Sequence, residues 1–208
     1  MLDLPLENAD GRTTTLRTLA KGGAVVVTDF LTTCQEVCPM TSVNMRDAAD
    51  AAARVGLAEK VTFAEITVDP ERDDAQRLAA YRALFGPTRP DWTFLTGGHD
   101  AVARVWSAFG VSYKRTAAEN PPPTDWLTGK PLTYDVSHQD VVFLVDAAGH
   151  ERWLEIGTPD TGGTAPPQPL ATFLNDEGRA NLASPDGPVW TAEDVEAAVT
   201  WWIGGRAR

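Results

Sequence analysis

The chemically informative residues of this 208-residue chain are its two cysteines, Cys34 and Cys38, which lie four positions apart. They stand between a β-branched run at residues 24–31 and a stretch with helical spacing that begins after Pro39. At the start of a helix, unpaired backbone N–H groups and the positive end of the helix dipole favour thiolate over thiol. This position therefore predicts a pair of reactive sulfurs.

Two chemistries are open to such a pair. Residues at i and i+4 face the same way on a helix, so both sulfurs could bind one metal ion. Four residues of helix also rise about 6 Å, which is near the upper end of the Cα separation in disulfides. We therefore expect Cys34 and Cys38 to bind a metal or to form a reversible disulfide. An inert disulfide would stabilise the fold little, because the loop it closes is short.

Three histidines complete the candidate ligands. His99 follows two glycines and His150 occupies a predicted hairpin turn, so we expect both side chains to be solvent-exposed. His138 precedes an apolar run at residues 141–145. Taken alone, this context predicts an exposed or hydrogen-bonded histidine rather than a metal ligand.

The elements around these residues alternate between strands and helices. An Asp10-Gly11 turn predicts an N-terminal hairpin within residues 4–19. Apolar residues at helical spacing predict helices after Pro39, after Asp73 or Asp74, and at residues 102–109. Apolar or β-branched runs predict strands at residues 24–31, 61–68, 92–95, 141–145 and 153–156. This alternation predicts an α/β fold with a central mixed sheet flanked by helices.

The length favours a single domain over residues 1–208. Three consecutive prolines predict an inserted loop in one region, and a second region is rich in Pro and Gly with little periodicity. Thr191 and Asp194 resemble a capping box, which predicts the start of a last helix. The expected parts are a core at 24–156, the insertion at 116–130, a Pro/Gly-rich extension at 158–190 and a terminal helix at 191–203.

The composition is that of a globular protein, with 43% hydrophobic and 23% charged residues. A net charge of -11 argues against a nucleic-acid partner, because phosphate binding needs a basic face. No stretch reaches the roughly 18 apolar residues that span a bilayer, and residues 1–5 lack the features of a signal peptide. We expect either a cytosolic protein or a sequence that begins after an anchor.

Four segments in chain order carry a resemblance to a known family. They are Cys34-Gln35-Glu36-Val37-Cys38-Pro39, Val68-Asp69-Pro70-Glu71-Arg72-Asp73, Phe94-Leu95-Thr96-Gly97, and His138 followed by Val141-Val142-Phe143-Leu144-Val145-Asp146 and Gly149. They resemble the C-P-D-V-C-P, S-V-D-P-E-R-D, L-T-G and D-H-S…Y-L-I-D-x-x-G motifs of the Sco/SenC family. The chain departs from that pattern at Gln35 and Glu36, and on either side of the histidine at Ser137 and Gln139.

The resemblance implies a thioredoxin-like fold that binds one copper ion through Cys34, Cys38 and His138. Two thiolates and one imidazole form a soft, low-coordinate set that suits Cu(I), and a fourth oxygen ligand would suit Cu(II). A structural zinc site normally has four protein ligands. Asp69 and Glu71 follow a predicted strand, and we expect them either to hydrogen-bond to the ligands or to cap the turn.

The resemblance also implies a function. Members of the family are copper metallochaperones, anchored at the outer face of a membrane, that help to build the copper centre of cytochrome c oxidase subunit II. A second role in that family is reduction of the acceptor's cysteines, here by the dithiol of Cys34 and Cys38. We therefore expect an extracytoplasmic monomer whose membrane anchor is absent from this sequence.

Two other functions stay open as alternatives. The first is a thiol-disulfide oxidoreductase of the thioredoxin or peroxiredoxin type. Thioredoxin catalysts use C-x-x-C, however, and a peroxidatic P-x-x-x-T-x-x-C motif ending at Cys38 would need proline at Leu31 and threonine at Gln35. The second is a non-catalytic adaptor stabilised by a disulfide, which we rank lowest.

Overall fold

The computed structural model describes residues 1–87 and 89–205. The predicted domain, 1–208, therefore includes residue 88 and residues 206–208, which lie outside the described residues. The strands are β1 Leu6–Asn8, β2 Thr13–Thr14, β3 Ala24–Phe30, β4 Val61–Thr67, β5 Trp92–Thr96, β6 Tyr113–Ala117, β7 Tyr134–His138, β8 Val141–Asp146, β9 Glu151–Ile156, β10 Thr158–Pro159 and β11 Val189–Trp190. The helices are α1 Leu16–Leu19, α2 Cys38–Arg54, α3 Ala75–Leu84, α4 His99–Phe109, α5 Gln168–Phe173, α6 Asp176–Ala183 and α7 Ala192–Gly204.

A seven-stranded mixed sheet forms the centre of the molecule, in the order β2-β1-β5-β4-β3-β8-β9. Strands β3, β4 and β5 run parallel, whereas β8 and β1 pair antiparallel with their neighbours. All seven residues of β3 are buried, as its β-branched composition requires for a strand covered on both faces. The predicted α/β fold with a mixed central sheet is confirmed, and so is the N-terminal hairpin, in which β1 pairs with β2 around Gly11.

Residues 116–130, the predicted insertion, include the end of β6 and most of the connection from β6 to β7. Strand β6 continues to Ala117 and pairs antiparallel with β7, with Tyr113 opposite His138. The sequence analysis did not predict these two strands. Four of the five residues of β6 are exposed, so the strand lacks the apolar alternation by which strands are recognised.

The extension at 158–190 contains more regular structure than its composition indicates. It forms the parallel pair β10 and β11 and two short helices, α5 and α6. The side chains of Leu170 and Trp190 are almost completely buried. The Asn44 side chain on α2 donates to the backbone oxygen of Trp190 at 3.1 Å. The helices have six and eight residues, which is too short for a helical period to show clearly.

The last helix, α7, begins at a capping box formed by Thr191 and Asp194. It packs on α2 through a buried face that includes Val195, Val199 and Ile203. Over residues 1–87 and 89–205, none of the helices combines the length and the apolar character that crossing a bilayer requires.

Candidate metal centre

Three side chains from two distant parts of the chain meet beyond the carboxyl end of β3. The two sulfurs of Cys34 and Cys38 and a ring nitrogen of His138 all lie within 4.8 Å of one another. The Sγ of Cys38 is 3.5 Å from Nε2 of His138. The other two histidines lie elsewhere and are exposed, with 69% of the His99 side chain and 66% of the His150 side chain accessible.

The i, i+4 spacing predicted that both cysteines lie on one helix, but the structure places only Cys38 on a helix. Cys38 is the first residue of α2, whereas Cys34 lies in the loop of residues 31–37 that connects β3 to α2. The unpaired N–H of Cys38 donates to Sγ of Cys34 at 3.4 Å. The hydrogen bond from the first N–H of α2 to Sγ of Cys34 therefore holds that sulfur close to the Cys38 side chain. Helical periodicity plays no part in this arrangement.

The thiols of this pair differ in exposure and in pKa. Cys34 is 9% exposed and Cys38 is fully buried. Hydrogen bonding from the Cys38 side chain, with a further contribution from His138, lowers the pKa of Cys34 well below its ordinary value. Burial raises the pKa of Cys38 well above its ordinary value. The prediction that this position favours thiolate therefore holds for Cys34 and not for Cys38.

His138 occupies the last position of β7, separated by two residues from the apolar run that forms β8. Its Nδ1 lies 2.6 Å from Oδ2 of Asp29 and 2.9 Å from the backbone oxygen of Gln139. Burial disfavours the imidazolium, but the Asp29 carboxylate outweighs that effect and raises the pKa of His138 well above its ordinary value. A metal ion at these ligand atoms would therefore release protons from Cys38 and His138 as it binds.

Sequence analysis missed Asp29 as a site residue. The available signal was a single carboxylate in the strand run at residues 25–31, whose other members are apolar except for Thr28. A charged residue in such a run needs a partner, but the sequence does not identify a partner 109 positions away.

Side chains from α3, from Asp73 just before it and from the insertion hold the loop that carries Cys34. Asp73 accepts hydrogen bonds from the backbone N–H and the hydroxyl of Thr32, at 3.1 and 2.5 Å. Trp126 donates to the backbone oxygen of Thr32 at 2.7 Å. Arg77 contacts the same hydroxyl and pairs with both carboxylate oxygens of Asp125, at 2.8 and 2.9 Å. These contacts fix the backbone immediately before Cys34.

The extension holds the other end of the same loop. The Gln35 side chain donates to the backbone oxygen of Phe173 at 2.7 Å. The backbone oxygen of Gln35 accepts from the N–H of Asn175 at 3.1 Å. The Asn175 side chain donates to Glu36 at 3.3 Å. The two residues between the cysteines that depart from the family pattern therefore contact the extension.

Asp69 and Glu71 lie beside this region, and their hydrogen bonds go to residues other than the three candidate ligands. Asp69 accepts from the hydroxyl of Tyr134 at 2.9 Å and pairs with Arg72. Glu71 pairs with Arg115 on β6. Both acids thus connect the segment after β4 to the β6–β7 hairpin. Asp69 contacts Tyr134 on β7, the strand that ends at His138, and Glu71 contacts Arg115 on β6.

A cavity of about 280 Å³ lies beside Cys34 and His138. Three acidic residues line it, namely Glu36, Asp135 and Asp140. Burial raises the pKa of Asp140 to about 7 and that of Asp135 above its ordinary value. Acidic side chains therefore surround the cavity through which Cys34 and His138 are reached.

Comparison with protein families decides the relationship that these motifs indicated. The family model described as SCO1/SenC matches residues 4–154. The chain belongs to the SCO1/SenC family. Among curated SCO1/SenC relatives, a SCO2-like protein of Rickettsia conorii is 26% identical over 157 residues, which are 76% of this chain and 67% of that protein. Three other relatives match over only 35–56% of their own length.

Solved SCO1/SenC structures share the fold. Arabidopsis thaliana ScoI with copper bound is 25% identical, with a TM-score of 0.59, over 73% of this chain and 84% of that one. Bradyrhizobium japonicum ScoI with copper bound is 20% identical, with a TM-score of 0.65, over 96% of both chains. The second match extends beyond residue 154, so the extension of this SCO1/SenC protein also has a structural counterpart.

The donor atoms of this SCO1/SenC site suit a soft metal ion. Two sulfurs and one imidazole nitrogen form the low-coordinate set that Cu(I) prefers, whereas hard cations such as Mg²⁺ or Ca²⁺ prefer oxygen ligands. The deep burial of Cys38 and of the His138 side chain, which is 6% exposed, would shield a bound ion from water.

Proposed function

We propose that this protein is a copper metallochaperone that holds one copper ion through Cys34, Cys38 and His138. The observation that carries the proposal is the convergence of the three ligand atoms within 4.8 Å. Membership of the SCO1/SenC family and the copper-bound Arabidopsis relative support the choice of copper over zinc. Cu(I) accepts two thiolates and one imidazole without a further protein ligand, and one added oxygen ligand would accommodate Cu(II).

The acceptor that we propose is the copper centre of cytochrome c oxidase, and specifically its subunit II. The family to which the chain belongs supports this acceptor. Such an acceptor would receive copper outside the cytoplasm, so we propose that the protein works as an extracytoplasmic monomer attached to a membrane. We also propose that residues 1–208 form a single domain with its core at 24–156.

A second activity, thiol-disulfide exchange with the acceptor, is favoured by one observation. Both cysteines are free thiols, and their sulfurs lie within 4.8 Å of each other. In such an exchange the Cys34 thiolate would attack an acceptor disulfide, and Cys38 would then displace the acceptor thiol, so that one disulfide forms as another is reduced. A thioredoxin-like enzyme would show this reaction, and a peroxiredoxin-like enzyme would reduce a peroxide instead, in both cases without any copper binding.

Copper titration of the reduced protein tests the proposal. We expect one copper ion per chain, with sulfur-to-copper charge-transfer absorption for Cu(II). His138→Ala removes one ligand, so we expect a lower affinity and a shifted spectrum. His150→Ala is the matched control, because His150 is exposed and its Nδ1 faces Asp146 rather than the sulfurs.

Two results would overturn the proposal. Wild-type protein that binds no copper would leave only thiol chemistry, which an insulin-reduction assay on the metal-free protein would then measure. Equal binding by wild type, His138→Ala and His150→Ala would remove His138 from the site.

A further inference from the structure

Asp29 is a buried carboxylate with a single side-chain partner. It is the second-to-last residue of β3, and its side chain is completely inaccessible to solvent. Its Oδ2 lies 2.6 Å from Nδ1 of His138. Its Oδ1 has no hydrogen-bond partner among the described residues. Since burying an ionised carboxylate is unfavourable unless it is paired, the contact with His138 is the feature that accounts for an aspartate at this position.

The contact determines which nitrogen of His138 faces the sulfurs. A carboxylate only accepts hydrogen bonds, and so does the backbone oxygen of Gln139, which also contacts Nδ1 at 2.9 Å. Nδ1 therefore keeps its proton in both charge states of the ring. The proton that metal binding releases comes from Nε2, which lies 3.5 Å from the Cys38 sulfur, and the lone pair left there is available to the ion.

We propose that Asp29 is a positioning residue for the copper ligand His138, holding the imidazole in the tautomer and orientation that present Nε2 to the metal. The inference rests on the proposed function. Metal-binding histidines usually donate their second ring N–H to a carboxylate or a carbonyl, and loss of that partner typically weakens metal affinity about 10–100-fold. Here the charged partner comes from the central strand β3, not from the residue preceding the histidine, which is Ser137.

Two substitutions separate the charge of Asp29 from its hydrogen bond. Asp29→Asn keeps the size and one acceptor oxygen but removes the charge. Asp29→Leu removes both, and His138 can then lose its second proton and remain as a neutral imidazole, so the variant leaves no buried charge unpaired. Glu65→Gln is the matched control, since Glu65 is a fully buried acid on the adjacent strand β4 whose partners are Ser42 and Trp92.

Competitive Cu(I) titration against a chromogenic chelator measures the effect on affinity. We expect Asp29→Leu to weaken binding about 10–100-fold, Asp29→Asn to weaken it less, and Glu65→Gln to bind like wild type. Circular dichroism confirms that each variant is folded before it is titrated.

Two spectroscopic readouts distinguish positioning from a general structural effect. In the Cu(I)-loaded wild type, NMR should detect a slowly exchanging proton on Nδ1 of His138, and in Asp29→Leu this proton should exchange faster. Both Asp29 variants remove a negative charge close to the metal. Because that charge stabilises Cu(II) more than Cu(I), its removal favours Cu(I). The reduction potential of bound copper should therefore rise in both variants and stay unchanged in Glu65→Gln.

The outcomes separate this inference from the proposed function. If wild type binds copper and Asp29→Leu matches it in affinity, imidazole resonances and potential, Asp29 has no positioning role and only the inference is overturned. If the wild type itself binds no copper, the proposed function fails and the inference fails with it.

Discussion

The two sides of the candidate metal centre are held in place by different parts of the molecule. The sulfur side consists of the loop 31–37 with Cys34 and the start of α2 with Cys38. It is held by side chains of α3, the insertion and the extension, which include Arg77, Asp125 and Asn175. The imidazole side is His138, at the end of β7, and it is held by Asp29 and by the ladder between β6 and β7.

The difference follows from the backbone of each side. A loop has no ladder partner, so its buried N–H and C=O groups need side chains or other loops to bond with. His138 already has strand pairing and needs only one further contact to orient its ring. The sulfur side should therefore respond to changes in several elements, whereas the imidazole side should respond mainly to Asp29.

The largest effect is expected on the sulfur side from Asp125→Ala. Arg77 and Asp125 form a buried ion pair, with each side chain only 9% exposed. Removing Asp125 takes away the carboxylate that binds both terminal nitrogens of Arg77 and leaves only Asp73, at 3.5 Å from Nε. Breaking a buried pair costs up to about 3–5 kcal/mol. Chemical denaturation of the reduced protein measures the loss in free energy of unfolding.

The control for that variant is Asp176→Ala, which removes an exposed pair with Arg179. Exposed ion pairs contribute little to the free energy of unfolding, so the denaturation midpoint of Asp176→Ala should stay near that of the wild type. If Asp125→Ala were as stable as Asp176→Ala, the insertion would not be holding the cysteine loop.

A smaller effect is expected from Gly178→Ala in the extension. A Cβ on Gly178 would lie 2.1 Å from the backbone oxygen of Gln35, so the loop or α6 would have to move. Overpacking of this kind costs about 1–3 kcal/mol, and the displaced loop should also weaken copper binding. Gly204→Ala has open space around its added methyl group and should change neither stability nor affinity appreciably. Equal copper affinity in both variants would show that the extension does not position the sulfur side.

The smallest expected difference lies within the sulfur side, between the two thiols. The pKa of Cys34 is lowered, so its thiolate persists as the pH falls below the ordinary thiol range, whereas the raised pKa of Cys38 keeps it a thiol to higher pH. An ordinary thiol is only a few per cent ionised at pH 7. In the metal-free protein, iodoacetamide should therefore alkylate Cys34 at least about tenfold faster than Cys38. Site-resolved mass spectrometry across a pH series measures both rates. Parallel pH profiles for the two cysteines would contradict this asymmetry.

Much of the fold could be predicted from the sequence, because its central elements have strong local signals. The run at residues 24–31 and the capping box at Thr191 led to the correct strand and helix starts. Strand β6 and helices α5 and α6 have no such signal, because they are short or exposed. They are stabilised by contacts that are distant in the sequence.

The candidate site was predictable to a lesser degree. Local context identified Cys34 and Cys38, but His138 came from the family resemblance and not from its own surroundings. The residues that hold the site, Asp29 and Asp125, contact partners 109 and 48 positions away. No local pattern contains such pairings, since they arise from the packing of separate elements against one another in the folded chain.

The central claim is that two sulfurs and one imidazole nitrogen bind the same copper ion. X-ray absorption spectroscopy of the Cu(I)-loaded protein tests it most directly. We predict scattering from two sulfurs and one imidazole nitrogen in the wild type, with the nitrogen contribution lost in His138→Ala. Ligation by sulfur alone, identical in wild type and His138→Ala, would contradict the claim.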